Sequence, residues 1–257
     1  MPMAAQAGAW TLPVGGYYLT ISAAALSTDQ VFDADGERVD YISALSPGTY
    51  QERQLRAYAE YGLAPRVTLV ASTSFQWLEV REEGVIWKTW GLSDIRIGTR
   101  YGLPTGDLVS ALAVEVKIPS GYDDMDFPSL GNGDPEMSLG LQAGRSFGRI
   151  YLVADAGYNL RAGALDNEIT WSLEAGWQAA NRLGLRTNLR SRSVPGTSGG
   201  DPLLDPTRVD SQSLKLGGAL TWSATKQLGI EASTTHTLSG RQTLAGTEAA
   251  FALVWHR

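Results

Sequence analysis

The side chains best suited to chemistry in this chain are charged residues that recur at alternate positions along short stretches. Side chains at alternate positions share one face of a β-strand. The set contains seven cations and six anions: Arg56, Arg96, Arg100, Lys117, Arg186, Arg190, Lys215, Glu60, Asp94, Glu115, Asp155, Glu174 and Glu231. On a confined wall, such near-balanced charges form cross-strand pairs that offset the cost of their burial. They make either a structural ion-pair network or a lining that contacts a substrate, and the balance favours neither sign of substrate charge.

Nucleophilic catalysis has little support in the sequence. His236 and Ser239 are three residues apart, and in a strand such residues point to opposite faces, out of hydrogen-bond reach. The other histidine, His256, is next to the last residue, and the chain has no cysteine. A phosphate-binding loop, a dinucleotide fingerprint and metal-ligand spacing are also absent from the sequence. We therefore expect a protein that is not an enzyme, with no catalytic residues, no metal site and no cofactor.

The stretch 91–121 indicates which element positions the charged residues. Ile95 and Ile97 alternate with Asp94 and Arg96, and the same alternation resumes after a turn at 104–107. A period of two with one apolar and one charged face is typical of a β-hairpin.

Twelve such stretches follow one another along the chain. They cover 16–28, 50–63, 66–80, 91–103, 108–119, 135–147, 149–161, 168–180, 183–194, 212–224, 227–238 and 247–256. Long connections at 29–49, 81–90, 120–134, 162–167, 195–211 and 239–246 alternate with tight turns at 64–65, 104–107, 148, 181–182 and 225–226. This alternation predicts an all-β, antiparallel, up-and-down transmembrane barrel with short periplasmic turns and long extracellular loops.

The aromatic residues favour a membrane barrel over a soluble barrel or sandwich, which would turn its apolar face inward. On the apolar face, one group lies at the short-turn ends of the strands: Tyr17, Tyr61, Tyr101, Trp177, Trp222 and Trp255. A second group lies toward the opposite ends: Phe75, Trp77, Tyr158 and Trp171. Two segregated groups are typical of the aromatic girdles at the two membrane interfaces.

The bulk composition is compatible with this fold. Mean hydropathy is -0.13, which does not exclude a barrel because its strands alternate. A net charge of -6 argues against nucleic acid as a partner. We expect an N-terminal tail at 1–15, where Ala5-Gln6-Ala7 has the form of a signal-peptidase cleavage remnant without the preceding apolar segment, and one barrel domain at 16–257.

Several motifs resemble those of the bacterial outer-membrane β-barrel family labelled "MetA-pathway of phenol degradation". They are 9–13 (AWTLP), 32–36 (FDADG), 58–63 (YAEYGL), 91–94 (GLSD) with 101–103 (YGL), 117–124 (KIPSGYDD) and 130–134 (LGNGD). The resemblance implies a bacterial outer-membrane location and a role in passing aromatic or other hydrophobic compounds, with no catalytic residues. Outer-membrane barrels resemble one another in a last strand that ends on an aromatic residue. This chain departs from that pattern, because Trp255 is followed by two more residues.

Two functional hypotheses remain at this point. In the first, the barrel is a channel or passive transporter for small, hydrophobic or aromatic molecules, and glycines on the polar face, such as Gly102, Gly144, Gly176 and Gly217, leave room for a narrow path. In the second, the ion pairs close the lumen, and the barrel is a structural or partner-binding protein. Outer-membrane lipid and lipopolysaccharide are the expected surroundings. Acidic loop residues such as Asp33 and Asp123 lack calcium-loop spacing, so we interpret these loops as solvated.

Overall fold

A computed structural model of the protein describes residues 8–41, 48–104, 106–123, 126–195 and 209–257. The regular elements of these residues are all strands. They are β1 (Tyr17–Thr28), β2 (Gln30–Phe32), β3 (Arg38–Asp40), β4 (Thr49–Ala64), β5 (Val67–Glu82), β6 (Val85–Leu92), β7 (Ile95–Leu103), β8 (Val109–Ile118), β9 (Glu136–Phe147), β10 (Ile150–Arg161), β11 (Glu168–Ala180), β12 (Leu183–Ser193), β13 (Gln212–Ser223), β14 (Leu228–Arg241), β15 (Thr243–Leu244) and β16 (Thr247–His256). Within the described ranges, no helix has the length and apolar character needed to cross a membrane.

The large sheet closes into an antiparallel barrel because β1 pairs with both β4 and β16. The strands β6 and β7 act as two halves of one barrel strand, since both pair with β5, above and below an interruption at Ser93 and Asp94. The amide of Ser93 donates to the carbonyl of Ser74 over 2.8 Å, which bridges the interruption. Counting β6 and β7 together, the barrel has twelve strands, as the alternation predicts.

The alternating pattern gives the barrel strands correctly, but three of the predicted long connections contain strands. In the connection at 29–49 these are the short strands β2 and β3. The prediction of a long loop at 81–90 is wrong, because β5 and β6 continue as a hairpin whose turn is Glu83-Gly84, both with positive φ. The predicted loop at 239–246 is also partly strand, since β14 extends to Arg241 and β15 follows. Charged residues of this hairpin form ion pairs, from Glu79 to Arg81 and to Lys88. Because such charged residues are typical of loops, the sequence of the hairpin resembles a loop.

The distribution of exposed side chains is inverted relative to a soluble protein. Large apolar residues such as Leu173 and Phe251 are 52% and 67% exposed on the outer face. Charged residues such as Glu60, Arg100 and Lys117 are only 3–5% exposed. A barrel that turns its apolar face outward and buries its charges inside matches a protein surrounded by lipid.

The substitution Leu173→Arg tests this orientation, because Leu173 lies on the outer face near the middle of β11. An arginine facing the bilayer midplane costs about 2–4 kcal/mol. We expect the free energy of unfolding in phospholipid vesicles, measured by urea titration, to fall by that amount. Thr170→Arg on the opposite face of the same strand is the control, and an equal loss in both variants would contradict the orientation.

Loops cover part of the extracellular mouth of the barrel, the end at which the long connections lie. β2, β3 and β15 form a separate three-stranded sheet there. It contributes to an apolar cluster with the ends of β4 and β5 and with the loop before β9: Val31, Tyr41, Tyr50, Leu78, Val80 and Leu130. The interpretation of the loops as simply solvated is therefore wrong for these segments. The carboxylate of Asp33 accepts hydrogen bonds from the amides of Asp35 and Glu37 within its own turn.

Candidate functional site in the barrel lumen

An N-terminal segment, residues 8–13, lies inside the barrel at the end where the tight turns are. The amide of Leu12 donates to Thr68 Oγ1 on β5 over 2.8 Å. The guanidinium of Arg100 on β7 donates to the carbonyl of Trp10 over 3.2 Å. The Trp10 ring meets the Tyr151 ring on β10 edge to face, with centroids 6.2 Å apart. The segment therefore reaches from β5 to β10, about a third of the way around the barrel.

Glycines on the inner wall provide the space that this segment occupies. A Cβ on Gly144 would lie 2.5 Å from the Trp10 ring, and a Cβ on Gly102 would lie 3.1 Å from Thr11 Oγ1. Two further glycines accommodate lumen side chains, since a Cβ on Gly176 would lie 2.0 Å from the Tyr151 ring and one on Gly217 would lie 2.7 Å from Asn188 Oδ1. The sequence interpretation that these glycines leave the path open is wrong for all four, because packed groups fill the space.

The predicted N-terminal tail thus has a described part that packs against the barrel wall. Ala9 is fully buried, and the carbonyl of Pro13 accepts a hydrogen bond from the amide of Gly16 over 2.8 Å. The residues Ala5-Gln6-Ala7, interpreted as a cleavage remnant, lie outside the described residues.

Gly144→Ala and Gly140→Ala form a matched pair that tests the contact with Trp10. Both glycines face the lumen from β9, but a Cβ on Gly140 would meet its nearest atoms at 3.6 Å, an ordinary contact. We expect Gly144→Ala to displace Trp10 and raise the ionic conductance measured in planar bilayers, while Gly140→Ala leaves it unchanged. Equal conductance in the two variants would contradict the packing of Trp10 against β9.

The first ion pair of the lumen joins Glu60 on β4 to Arg100 on β7. It is bidentate, with N–O distances of 3.1 and 3.2 Å, and the two side chains are 1% and 6% exposed. The Tyr58 hydroxyl donates to the same carboxylate. A carboxylate with this many donors meets the requirement that buried charge be paired and hydrogen-bonded. Because Arg100 also holds the Trp10 carbonyl, this pair anchors the N-terminal segment.

A second network surrounds Arg186 on the opposite side of the lumen. Its guanidinium donates to Glu174 on β11 over 3.3 Å and to Glu231 on β14. Tyr151 donates to Glu174 over 2.8 Å, and Thr221 donates to Glu231 over 2.9 Å. Tyr151 thereby connects this network to the Trp10 ring. The segment 8–13 and the Arg186 network together occupy the turn end of the lumen.

A third group lies at the loop end of β7, β8 and β9. Lys117 contacts Glu136 at 2.8 Å and Asp94 at 3.5 Å. Arg96 contacts Glu115 at 3.1 Å and Glu136 at 3.7 Å. These contacts hold the strand ends beside the loop that covers the mouth.

Tyr122 ties that loop to the barrel. Its hydroxyl donates to Asp94 over 2.7 Å and accepts from the amide of Gly133 over 3.0 Å. Burial, together with the hydrogen bond to the Asp94 carboxylate, raises the pKa of the Tyr122 hydroxyl above its ordinary value, so it remains protonated as a donor.

The remaining predicted residues lie in the middle of the lumen and toward its loop end. Arg56 pairs with Glu248 on β16, with an Nη1–Oε1 distance of 2.8 Å. Asp155 accepts a hydrogen bond from Ser172 over 2.9 Å. Among the described residues, Arg190 and Lys215 form neither an ion pair nor a side-chain hydrogen bond. They are the two unpaired cations of the thirteen predicted lumen residues.

Sequence reasoning missed several partners of these residues. Three of the missed residues are carboxylates on the inner face at strand ends, which are Glu136, Glu168 and Glu248. Each is the first or second residue of its strand. Each also follows the alternation of charged and apolar residues by which the predicted lumen residues were identified. A consistent extension of that alternation to the first residue of each strand would have found them.

The described part of the lumen contains two adjacent cavities. One, of about 340 Å³, is lined by Gly8, Arg100 and Arg186 among others. The second, of about 380 Å³, lies nearer the loop end and is lined by polar side chains. The two cavities share Asp155, Ser172 and Arg190 in their linings, so the first lies beside the N-terminal segment and the second adjoins it on the loop side.

The predicted interface aromatics lie at strand ends. Tyr17 opens β1 opposite Tyr61, and the others of the turn-end group are Tyr101, Trp177, Trp222 and Trp255. Trp171 lies toward the loop end of β11. On the outer face of the loop end, the Phe75 ring also packs against Trp77 and Trp90, with centroids 4.7 and 6.0 Å apart. Trp90 was missed because it falls in the stretch that was assigned to a loop.

Comparison with known proteins identifies the family. The family model described as "Putative MetA-pathway of phenol degradation" matches residues 28–253. The chain belongs to this family. A comparison with curated proteins finds no match.

Solved outer-membrane barrels share the fold. The COG4313 outer membrane channel from Pseudomonas putida F1 is 15% identical, with a TM-score of 0.71, 96% of this chain covered and 97% of that chain covered. The NanC porin is 8% identical, with a TM-score of 0.58 and coverages of 92% and 98%. The translocator domain of the autotransporter NalP from Neisseria meningitidis is 11% identical, with a TM-score of 0.55 and coverages of 95% and 89%. These similarities confirm the fold, a closed antiparallel β-barrel.

Proposed function

We propose that the protein is an outer-membrane channel for small molecules, including aromatic compounds, and that residues 8–13 close its periplasmic end in the resting state. The observation that carries this proposal is the pair of adjacent lumen cavities, one of which is lined by Gly8 of the N-terminal segment. A lumen filled by side chains alone would have no such space, whereas twelve strands enclose more volume than the eight that side chains can fill.

The polar lining supports passage of molecules that carry polar groups. Serine, threonine and charged side chains line the cavity of about 380 Å³ nearer the loop end. A path lined by hydrogen-bond donors and acceptors replaces part of the hydration of a polar solute. The description of the family, which refers to phenol degradation, supports aromatic solutes as the cargo.

The N-terminal segment supports a closed resting state that can open. Its described contacts with the wall are side-chain packing and two hydrogen bonds, one donated by the Leu12 amide and one accepted by the Trp10 carbonyl. The strands β1 and β16, in contrast, are joined by a continuous ladder of backbone pairing. A segment held by a few contacts opens at a lower free-energy cost than a strand.

Liposome swelling tests the proposal. Vesicles containing the folded protein are diluted into isotonic solutions of arabinose, catechol or the larger sugar raffinose, and the swelling rate is read by light scattering. We expect protein-dependent swelling with arabinose and catechol and none with raffinose. Rates equal to those of protein-free vesicles for all three solutes, with barrel folding verified by heat-modifiable migration on gels, would contradict channel function. That result would favour a closed structural barrel.

A further inference from the structure

Arg190 and Lys215 lie side by side on the inner wall, and neither forms an ion pair with a described residue. They are directly opposite each other across the β12–β13 pairing, and like charges in that arrangement destabilise a sheet. Adjacent strands are about 4.8 Å apart, so the two cations share one patch of wall. Arg190 is exposed to the lumen, and Lys215 is partly buried.

Neighbouring carboxylates already have other partners. Glu248 is paired with Arg56, Glu168 with Arg192, and Asp155 accepts from Ser172. Glu52 on β4 accepts a hydrogen bond from Gln54 and attracts Lys215 from beyond ion-pair distance. Within the described residues, Arg190 and Lys215 therefore have carboxylates in the vicinity but no ion-pair contact with any of them.

Arg190 and Lys215 both line one cavity of the lumen. In register across four adjacent strands, Asp155, Ser172, Arg190 and Lys215 form one row. All four line the cavity of about 380 Å³, together with the hydroxyl-bearing Thr170 and Ser213.

The backbone next to Lys215 is also irregular. The pairing of β13 with β14 shifts register between Leu214 and Lys215, which leaves one extra residue, Leu238, on β14. Bulges of this kind change the direction of side chains and are frequent beside binding sites. The bulge lies in the wall of the barrel at the level of the unpaired cations.

We propose that Arg190 and Lys215 form a binding site for the carboxylate of a small organic anion that passes through the lumen. The guanidinium of Arg190 offers a fork of donors that fits a carboxylate in two hydrogen bonds, and the Lys215 ammonium adds a second positive charge. An anion there relieves the repulsion between the two cations. The cavity has room for the organic part of a molecule with a single aromatic ring. Because it assigns a substrate class to the proposed channel, this inference rests on the proposed function.

The test uses the double substitution Arg190→Gln/Lys215→Gln in the full chain. The control is Arg145→Gln/Lys226→Gln, which removes the same charge from the outer face and a periplasmic turn. Benzoate is the charged probe, and benzyl alcohol is an uncharged probe of similar size. Binding to the detergent-solubilised protein is measured by calorimetry, and the reversal potential is measured in planar bilayers under a KCl gradient.

We expect the wild type and the control to bind benzoate, and the double variant to bind it about tenfold or more weakly, since a charge-assisted hydrogen bond contributes about 1.5–3 kcal/mol. Benzyl alcohol should not distinguish the three proteins. We also expect an anion preference in the reversal potential that the double variant loses. Equal benzoate binding in all three proteins, absence of benzoate binding to the wild type, or a wild-type channel that prefers cations would overturn the inference.

The two proposals fail in different ways. Benzoate binding that depends on Arg190 and Lys215, in a protein that carries no current, supports the site and contradicts the channel. Current without benzoate binding or anion preference supports the channel and overturns the site.

Discussion

The variant Gly8→Cys/Val153→Cys is expected to show a several-fold rise in single-channel conductance when a reducing agent is added. An ideal Cβ on Gly8 lies 3.7 Å from the Val153 Cβ, close to the mean separation of about 3.8 Å in disulfides. The chain has no other cysteine, so oxidation forms a single cross-link. That cross-link holds the N-terminal segment against β10, and reduction releases it.

The single variant Gly8→Cys is the control for this experiment. It carries the same residue at a position with a φ of +82°, where any side chain introduces strain, but it cannot be cross-linked within one barrel. Conductance that does not differ between the oxidised and reduced double variant would show that the segment does not close the lumen.

The variant Arg100→Ala is expected to lose about 3–5 kcal/mol of unfolding free energy, because it leaves the Glu60 carboxylate buried without its cation. The pair is almost completely inaccessible to solvent. Urea titration in phospholipid vesicles, followed by tryptophan fluorescence and by heat-modifiable migration, measures the loss. Arg100→Ala should also raise the conductance, since Arg100 donates to the Trp10 carbonyl.

Two further variants test whether the loss of stability comes from leaving a buried charge unpaired. Arg100→Met/Glu60→Leu removes both charges and should lose less stability than Arg100→Ala, because no charge is left unpaired. Arg145→Ala breaks an exposed pair with Asp107 on the outer side and should change stability by less than about 1 kcal/mol. An Arg100→Ala variant as stable as Arg145→Ala would contradict the role of the buried pair.

The strands of the barrel were predictable from the sequence because their period of two is a local property. Leu173 and Glu174 fall on opposite faces whatever the partner strands are, and the alternation of connection lengths then gives the topology. The alternation is interrupted at 81–90, where β5 and β6 extend past the apolar band, so both faces of the hairpin carry polar residues. Local polarity does not distinguish such a strand from a loop.

The lumen was less predictable because its contacts are long-range. Arg56 and Glu248 are 192 residues apart in sequence, and their proximity depends on the register with which β1 joins β4 to β16. The path of Trp10 depends on glycines of distant strands, such as Gly144, and the segment has no periodicity of its own. A balanced count of charges also concealed that Arg190 and Lys215 form no ion pair with a described residue, since pairing depends on which side chains come within reach of each other and not on the count.

Planar-bilayer recording of the wild-type protein tests channel function most directly. We predict discrete current steps from folded, heat-modifiable barrels, which become larger when residues 8–12 are deleted. Current no greater than the leak of a protein-free bilayer, from both the wild type and the deletion variant, would contradict the account.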